Sequence, residues 1–133
     1  MKLVIRSLNK PPSGDIDLII GWFCEVFGLS NSINDRLEIQ LLKKFMLAAK
    51  NGQGLASKDI KFGMPRSTII YHLNRFIESG ILVKKGRKYY LRAAEMTDLV
   101  EEVEYDVRRE FQRIYDIAGM LDIQIYKKSK KQM

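Results

Sequence analysis

The chain has 133 residues, of which 46% are hydrophobic and 29% are charged, and its net charge is +7. These values predict a soluble protein of one domain with an extension and an anionic partner. One cysteine, Cys24, excludes a disulfide framework and a zinc cluster, and it fits a reducing cytoplasm. The most apolar window, Ile16 to Phe27, is too short to span a bilayer, so we expect no membrane partner. The N-terminus has no long apolar stretch, so we expect no signal peptide and a cytoplasmic location.

The first part of the chain predicts an arm and two helices. Residues 1–14 form the N-terminal arm, in which Leu3 to Ile5 has the composition of a strand. Ile16 to Phe27 has apolar residues at helical spacing, and Asp15 is suited to cap its N-terminus. A second amphipathic helix is predicted from about Asn34 to Lys50.

The middle of the chain predicts a helix, a turn, a second helix and a hairpin. Lys58 to Phe62 reads as a short helix, and the next helix runs from Pro65 to Ser79. From Ile81 to Leu91, two short β-type runs flank a turn at Gly86. This order predicts a fold that is mainly α with a small β-hairpin wing, namely a winged helix-turn-helix DNA-binding domain over residues 15–92.

Positive charge is concentrated in this segment. Between Lys58 and Arg92 there are nine Lys or Arg residues and only two Asp or Glu. A basic patch on a helix-turn-helix is typical of DNA binders, in which the second helix enters the major groove. The residues that we expect to contact DNA are Arg66, Ser67, Thr68, Ile70, Tyr71, Asn74 and Arg75 in the second helix, and Lys84, Lys85, Arg87 and Lys88 in the wing.

These residues divide into two predicted roles. Ser67, Tyr71 and Asn74 can hydrogen-bond base edges or phosphates. Arg66 and Arg75 flank them as predicted phosphate clamps, and the wing cations can reach phosphates or the flanking minor groove. The alternatives are an amphipathic helix with a merely solvated polar face and a wing that serves only as a solubilising loop.

The run from Ser67 to Leu73, continued to Ile81, resembles the recognition helix of the arsenical-resistance-repressor (ArsR) family. The resemblance covers residues 55–92 and includes a His-Leu pair inside the helix. The chain lacks the paired cysteines of the family's metal sensors, so we expect no metal and no cofactor. The resemblance implies that Ser67, Ile70 and Tyr71 face DNA bases and that Arg87 and Lys88 lie on the wing.

A long helical pattern follows, from Thr97 to Tyr126. Residues 93–126 contain nine acidic residues against three Arg, so we expect this segment to avoid DNA. Its apolar stripe predicts a homodimerisation helix, and the alternative is that it folds back on the helix from Ile16 to Phe27. We expect residues 127–133 to be a disordered basic tail. The predicted dimer-interface residues are Val100, Val103, Val107, Phe111, Ile114, Ala118, Leu121 and Ile125.

Catalytic motifs are absent from the sequence. There is one His, one Cys, no G-x-S-x-G and no phosphate-binding Gly loop, so we expect no enzymatic activity. His72 is predicted to be packed or to contact phosphate. Trp22, Phe23 and Phe27 could line an effector pocket, although aromatic residues at helical spacing are more typical of a core.

Together these features predict a homodimeric, sequence-specific regulator of transcription that binds a palindromic site in double-stranded DNA. Two alternatives remain at this point. One is a winged-helix module for protein–protein interaction in a larger assembly, and the other is a non-specific chromosomal DNA-binding protein. The sequence identifies no small-molecule effector.

Overall fold

The structure is a computed structural model that describes residues 2–6, 13–30 and 35–131. Within these residues the chain is mainly helical and carries a small antiparallel sheet. The elements are α1 (Ile16–Val26), α2 (Arg36–Lys50), β1 (Leu55–Ala56), α3 (Arg66–Glu78), β2 (Leu82–Lys85), β3 (Lys88–Leu91) and α4 (Met96–Lys131). Asn34, where the second helix was expected to begin, lies outside the described residues.

The first two helices pack together and form one side of the core. The Asp15 side chain caps α1, because its Oδ1 accepts hydrogen bonds from the backbone N–H groups of Asp17 at 2.8 Å and Leu18 at 3.4 Å. Lys43 of α2 donates a hydrogen bond to the Asp17 carboxylate at 3.0 Å, which joins α2 to the first turn of α1. The predicted cap and the predicted helix are both confirmed.

The core of residues 2–99 is built from the apolar faces that the helical spacing predicts. Ile69, Leu73 and Phe76 lie three or four residues apart on α3 and are all buried, so they fix which face of α3 points outward. The largest fully buried side chains are Phe45, Phe76, Leu29, Leu41, Leu42, Ile69, Leu73, Ile81, Leu82, Leu99 and Cys24.

The segment before α3 differs from the prediction. The helix expected from Lys58 to Phe62 is a single 3₁₀ turn, Ser57–Asp59, and Ile60 then adopts an extended backbone. Five residues between two turns are too few to offset the cost of nucleating an α-helix. Burial of Ile60, which is 3% exposed, instead anchors this segment as a loop against the core.

The sheet has the strand order β1-β3-β2, and all pairs are antiparallel. Gly86 and Arg87 form a two-residue loop between β2 and β3. Gly86 has a φ of 62° and no described non-glycine residue has a positive φ, which fits a type II′ turn with glycine at its first central position. The hairpin is confirmed, whereas β1, which pairs Leu55 with Tyr89, was not predicted from the sequence.

Helix α4 is longer than the pattern predicted. It continues to Lys131, so the prediction of a disordered basic tail is wrong for residues 127–131, and 132–133 lie outside the described residues. The four lysines of this segment favour a helix C-terminus, where cations interact well with the helix dipole. The chain divides into two compact units, Met1–Leu99 and Val100–Met133. In the part of the chain that the structure describes, no helix is long and apolar enough to cross a membrane.

The described part of the N-terminal arm runs along two helix ends. The N–H of Lys2 donates to the carbonyl of Glu78 at 2.6 Å, and the N–H of Arg6 donates to the carbonyl of Val26 at 2.8 Å. These bonds satisfy carbonyls at the C-terminal ends of α3 and α1 that lack helical partners. Residues 2–6 form no strand, contrary to the prediction for Leu3 to Ile5. Residues 7–12 lie outside the described residues.

Candidate nucleic-acid interface

The outward face of α3 carries a polar and aromatic stripe. Ser67, Ile70, Tyr71 and Asn74 lie at positions i, i+3, i+4 and i+7, which places them on one side of the helix. Ser67 and Asn74 are exposed, and Tyr71 is 60% exposed. Ile70 is half-buried. Exposure of the apolar ring of a tyrosine to water is energetically unfavourable. This stripe is therefore suited to contact a partner.

The N-terminus of α3 is joined to the preceding turn. Arg66 is exposed, and its Nη2 donates a hydrogen bond to Oγ of Ser57 over 3.4 Å. Thr68 is half-buried beside it. The bond is long, so the guanidinium of Arg66 keeps most of its donors for another acceptor.

Arg75 has a structural role that the sequence did not indicate. Its Nη2 donates a 2.8 Å hydrogen bond to the carbonyl oxygen of Gly28, the residue that follows the C-cap of α1. The side chain is half-buried by this contact. The short bond directs the guanidinium towards α1 and occupies one of its donors, and the role of Arg75 as a phosphate clamp stays a prediction.

The β2–β3 hairpin presents four exposed cations: Lys84, Lys85, Arg87 and Lys88. Lys85 and Lys88 are direct cross-strand partners. Like charges placed opposite each other destabilise a strand pair, so the hairpin tolerates this arrangement at a cost to its own stability. The Nζ of Lys84 lies 5.3 Å from the ring centroid of Tyr89, which keeps the lysine stem against the sheet.

His72 is packed against an acidic residue of α2. Its Nδ1 lies 2.9 Å from Oε1 of Glu38, and both side chains are largely buried. The contact is short but does not have the direction of a hydrogen bond, so Nδ1 has no hydrogen-bond partner among the described residues. The sequence allowed a packed or a phosphate-contacting histidine, and the structure has the packed one. The sequence contains one indication of this pair, because the charged residue Glu38 interrupts the apolar face of α2.

Burial controls the chemistry of Cys24. Removal from water raises the pKa of its thiol from 9.0 to about 12, and the nearby carboxylates of Glu38 and Asp35 contribute to the same rise. The thiolate is the reactive form of cysteine, so this thiol is poorly suited to nucleophilic chemistry. The described residues contain no group of three or more His, Cys, Asp or Glu side chains that could hold a metal ion.

Two cations that the sequence analysis did not assign lie next to the interface. Lys58 and Lys61 are exposed in the turn that leads into α3. Both residues belong to the positive segment from Lys58 to Arg92, but neither was among the predicted DNA contacts. The aromatic group at the end of α1 belongs to the packing instead: Phe23 stacks on Phe27 with ring centroids 4.5 Å apart, and Phe27 is buried.

The predicted interface residues of α4 fall into two groups. Val103 is 2% exposed and Val107 is half-buried. The dimer contact of Val103 therefore stays a prediction. The residues of this prediction that remain exposed are Val100, Phe111, Ile114, Ala118, Leu121 and Ile125.

No family model matches this chain, and no curated protein and no solved structure matches it.

Proposed function

We propose that this protein is a sequence-specific, double-stranded DNA-binding regulator of transcription that acts as a homodimer. In this proposal the fold is a winged helix-turn-helix, α3 lies in the major groove, and the β2–β3 hairpin is the wing on the flanking backbone or minor groove. The observation that carries it is the exposed stripe of α3, centred on Tyr71, on a helix that packs against the strand leading to four exposed hairpin cations.

The charge of the hairpin favours an anionic polymer as the partner. Lys85 and Lys88 repel each other across the strand pair, and a bound phosphate backbone would relieve that repulsion. Local sequence choices that cost stability are commonly found at functional sites. Lys58 and Lys61 add two exposed cations in the segment that leads into α3.

The exposed side of α4 supports a homodimer. Phe111, Leu121 and Ile125 are each more than half exposed. Burying a side chain of this size is worth roughly 1.5–3 kcal/mol, so covering several per chain is enough for stable association. A two-fold dimer presents two copies of α3, which suits a palindromic site.

The resemblance of residues 55–92 to ArsR-type regulators agrees with this assignment. We propose no metal, because Cys24 is buried and the described residues contain no group of three or more His, Cys, Asp or Glu side chains that could hold one. We also propose no catalytic step, since the side chains of the one cysteine and the one histidine are both largely buried.

Selection of bound duplexes from a random library, followed by titration at several salt concentrations, tests the proposal. We expect an enriched palindrome, binding that resists excess random DNA, and a log K that falls linearly with log salt. Replacement of Lys84, Lys85, Arg87 and Lys88 by Ala should weaken all DNA binding. Lys50→Ala is the matched control, because this exposed lysine lies on α2 and pairs with Glu95 at 3.0 Å.

The outcomes separate the three functions. Binding without an enriched site would instead identify a non-specific chromosomal protein. If the protein shows no salt-dependent binding to DNA, the remaining function is a module for protein–protein interaction. One structural observation favours this alternative: Phe62 and Met64, which precede α3, are exposed in addition to Tyr71.

A further inference from the structure

Five exposed apolar residues of α4 follow a heptad pattern over its C-terminal half. They are separated by alternating steps of three and four residues, which is the spacing of the a and d positions of a coiled coil. Three other exposed apolar residues of the same half, Met120, Ile123 and Tyr126, lie outside this pattern. This pattern assigns Ile114 and Leu121 to d positions. We call this set the seam: Phe111, Ile114, Ala118, Leu121 and Ile125, all of which are exposed.

The charges of α4 are opposite at the two ends of the seam. The part before the seam carries Glu101, Glu102, Glu104 and Asp106, and the part after it carries Lys127, Lys128, Lys130 and Lys131. The helix dipole favours acidic residues only in the first turn and basic residues only in the last. Acidic residues extend to Glu110, with Arg108 and Arg109 among them, well beyond the first turn, so the dipole does not account for them.

We infer that two copies of α4 pair antiparallel through the seam, so that the basic end of one helix lies beside the acidic part of the other. The occupant of this apolar face is therefore a second copy of the same chain. The inference rests on the homodimer of the proposed function and adds the direction and register of the pair. An antiparallel pair of identical helices has a two-fold axis across it, so each contact occurs twice.

One register satisfies both the apolar and the charged positions. In an antiparallel pair, a positions face d positions. Phe111 then lies opposite Leu121 of the partner subunit, and Ile114 opposite Ala118 of the partner subunit. One heptad further out, Glu104 lies opposite Lys128 of the partner subunit. A shift by one heptad in either direction would place Glu104 opposite Leu121, or Lys128 opposite Phe111, and would bury a charge against an apolar side chain.

The residues that flank the seam agree with this register. Tyr115 and Ile117, both exposed, lie at the centre, where each meets its own copy across the two-fold axis. Near the ends, Arg108, which pairs with Glu104 of its own helix at 3.2 Å, also faces Asp122 of the partner subunit, an opposite-charge pair. The pair then has an apolar centre that excludes water and charged residues towards both ends, as in other two-stranded pairs.

A parallel pair would have the opposite electrostatics. Each residue would then face its own copy along the seam, with Glu104 against Glu104 of the partner subunit and Lys128 against Lys128 of the partner subunit. Juxtaposed like charges are unfavourable at an interface. The charge pattern therefore selects the antiparallel direction, whereas the apolar pattern alone would permit either.

Cross-linking through single introduced cysteines tests the direction. Ile117→Cys should be linked to its own copy by a short bismaleimide, because position 117 lies next to the two-fold axis. Ile125→Cys should not be linked, because position 125 would face Val107 of the partner subunit. At the helical rise of 1.5 Å per residue, the two copies of position 125 would lie about 27 Å apart. The unsubstituted chain, whose native Cys24 is fully buried, is the control for unspecific linking.

Charge exchange tests the register independently. Glu104→Lys should weaken the dimer on the order of tenfold, because it places two lysines opposite each other at both ends of the pair. The exchange variant, Glu104→Lys with Lys128→Glu, should restore dimerisation to near the wild-type value. In a parallel pair neither variant would change the number of like-charge pairs, so the dimer constant would stay the same.

Sedimentation and DNA titration of the same samples separate this inference from the proposed function. A dimer that is linked through position 117 alone and is rescued by charge exchange supports the antiparallel seam. A dimer that is linked through position 125, through both positions or through neither overturns the seam but leaves the homodimeric DNA-binding protein. A monomeric wild type overturns the homodimer of the proposed function as well, whereas a dimer without DNA binding overturns only the DNA-binding assignment.

Discussion

The Nη2 of Arg75 donates a hydrogen bond to the carbonyl oxygen of Gly28 over 2.8 Å, and this contact joins α3 to the end of α1. Gly28 has a φ of 70°, a left-handed conformation that glycine adopts without strain after a helix end. The carbonyl at this turn lacks a helical partner, so the arginine satisfies it. The position of α3, and with it the exposed stripe, depends on a residue that the sequence alone assigned to DNA.

Replacement of Arg75 should therefore affect folding more than DNA binding. Arg75→Ala should lower the free energy of unfolding by about 1.5–3 kcal/mol, the range for a hydrogen bond that involves a charged group. Urea denaturation measures this value, and Arg66→Ala, whose bond to Ser57 is longer at 3.4 Å, should cost less. If the variant keeps the wild-type free energy of unfolding and its DNA binding depends less steeply on salt, Arg75 contacts a phosphate instead.

The hairpin should supply affinity without sequence choice. Replacing Arg87 and Lys88 by Ala removes two exposed cations and should flatten the slope of log K against log salt by roughly 0.9 for each phosphate that is no longer neutralised. Specific and random duplexes should weaken to a similar extent. A salt titration that gives the wild-type slope would show that these residues do not contact the backbone.

Tyr71 should contribute to sequence choice. Tyr71→Ala should cost about 1–3 kcal/mol in binding to the selected site, as expected when a good base interaction is removed, and should leave binding to random DNA nearly intact. Tyr71→Phe is the matched control, because it keeps the ring and removes only the hydroxyl. Equal effects on selected and random duplexes would make Tyr71 a positioning residue.

The raised pKa of Cys24 predicts a loss of stability at alkaline pH. In the unfolded chain the thiol loses its proton near pH 9.0, whereas in the folded chain burial raises the pKa to about 12. Between these values the folded state binds more protons, so the contribution of Cys24 is complete below pH 9.0 and the free energy of unfolding falls as the pH rises above it.

Comparison with Cys24→Ala checks this prediction. Denaturant unfolding across the alkaline range, at and above pH 9.0, should show a steeper decline for the wild type than for the variant, which has no thiol to titrate. Alkylation of the native thiol below that pH should also be slow compared with the unfolded chain. Parallel stability curves for the two proteins would contradict the prediction.

The ring of Tyr90 leaves no space for a side chain at Gly54. A Cβ at Gly54 would lie 2.5 Å from Cζ of the Tyr90 ring, closer than such atoms approach in proteins. Gly54→Ala should therefore destabilise the fold by roughly 1–3 kcal/mol through overpacking. Adding Tyr90→Ala should recover part of that stability, and a double-mutant cycle by thermal unfolding measures the coupling. Additive effects would show that the ring moves aside freely.

Local patterns in the sequence were enough to predict most elements. Asp15 caps α1, Ile69, Leu73 and Phe76 form the buried face of α3, and Gly86 marks the hairpin turn, as expected. Caps, periodicity and turn residues act between neighbours within one or two helical turns, so a single segment contains the whole signal. The same periodicity identified the outward residues of α3 and the apolar stripe of α4.

The tertiary structure decided what depends on distant residues. The strand Leu55–Ala56 exists because β3 pairs with it, and Ile60 holds the preceding segment as a 3₁₀ turn because the core buries it. Arg75 reaches a carbonyl 47 positions away in the chain, a contact that no local pattern encodes. The sequence by itself determined which faces are apolar and where charge accumulates, since both are properties of single segments. Which charged side chains stay exposed was decided by packing, because burial depends on residues far apart in the chain.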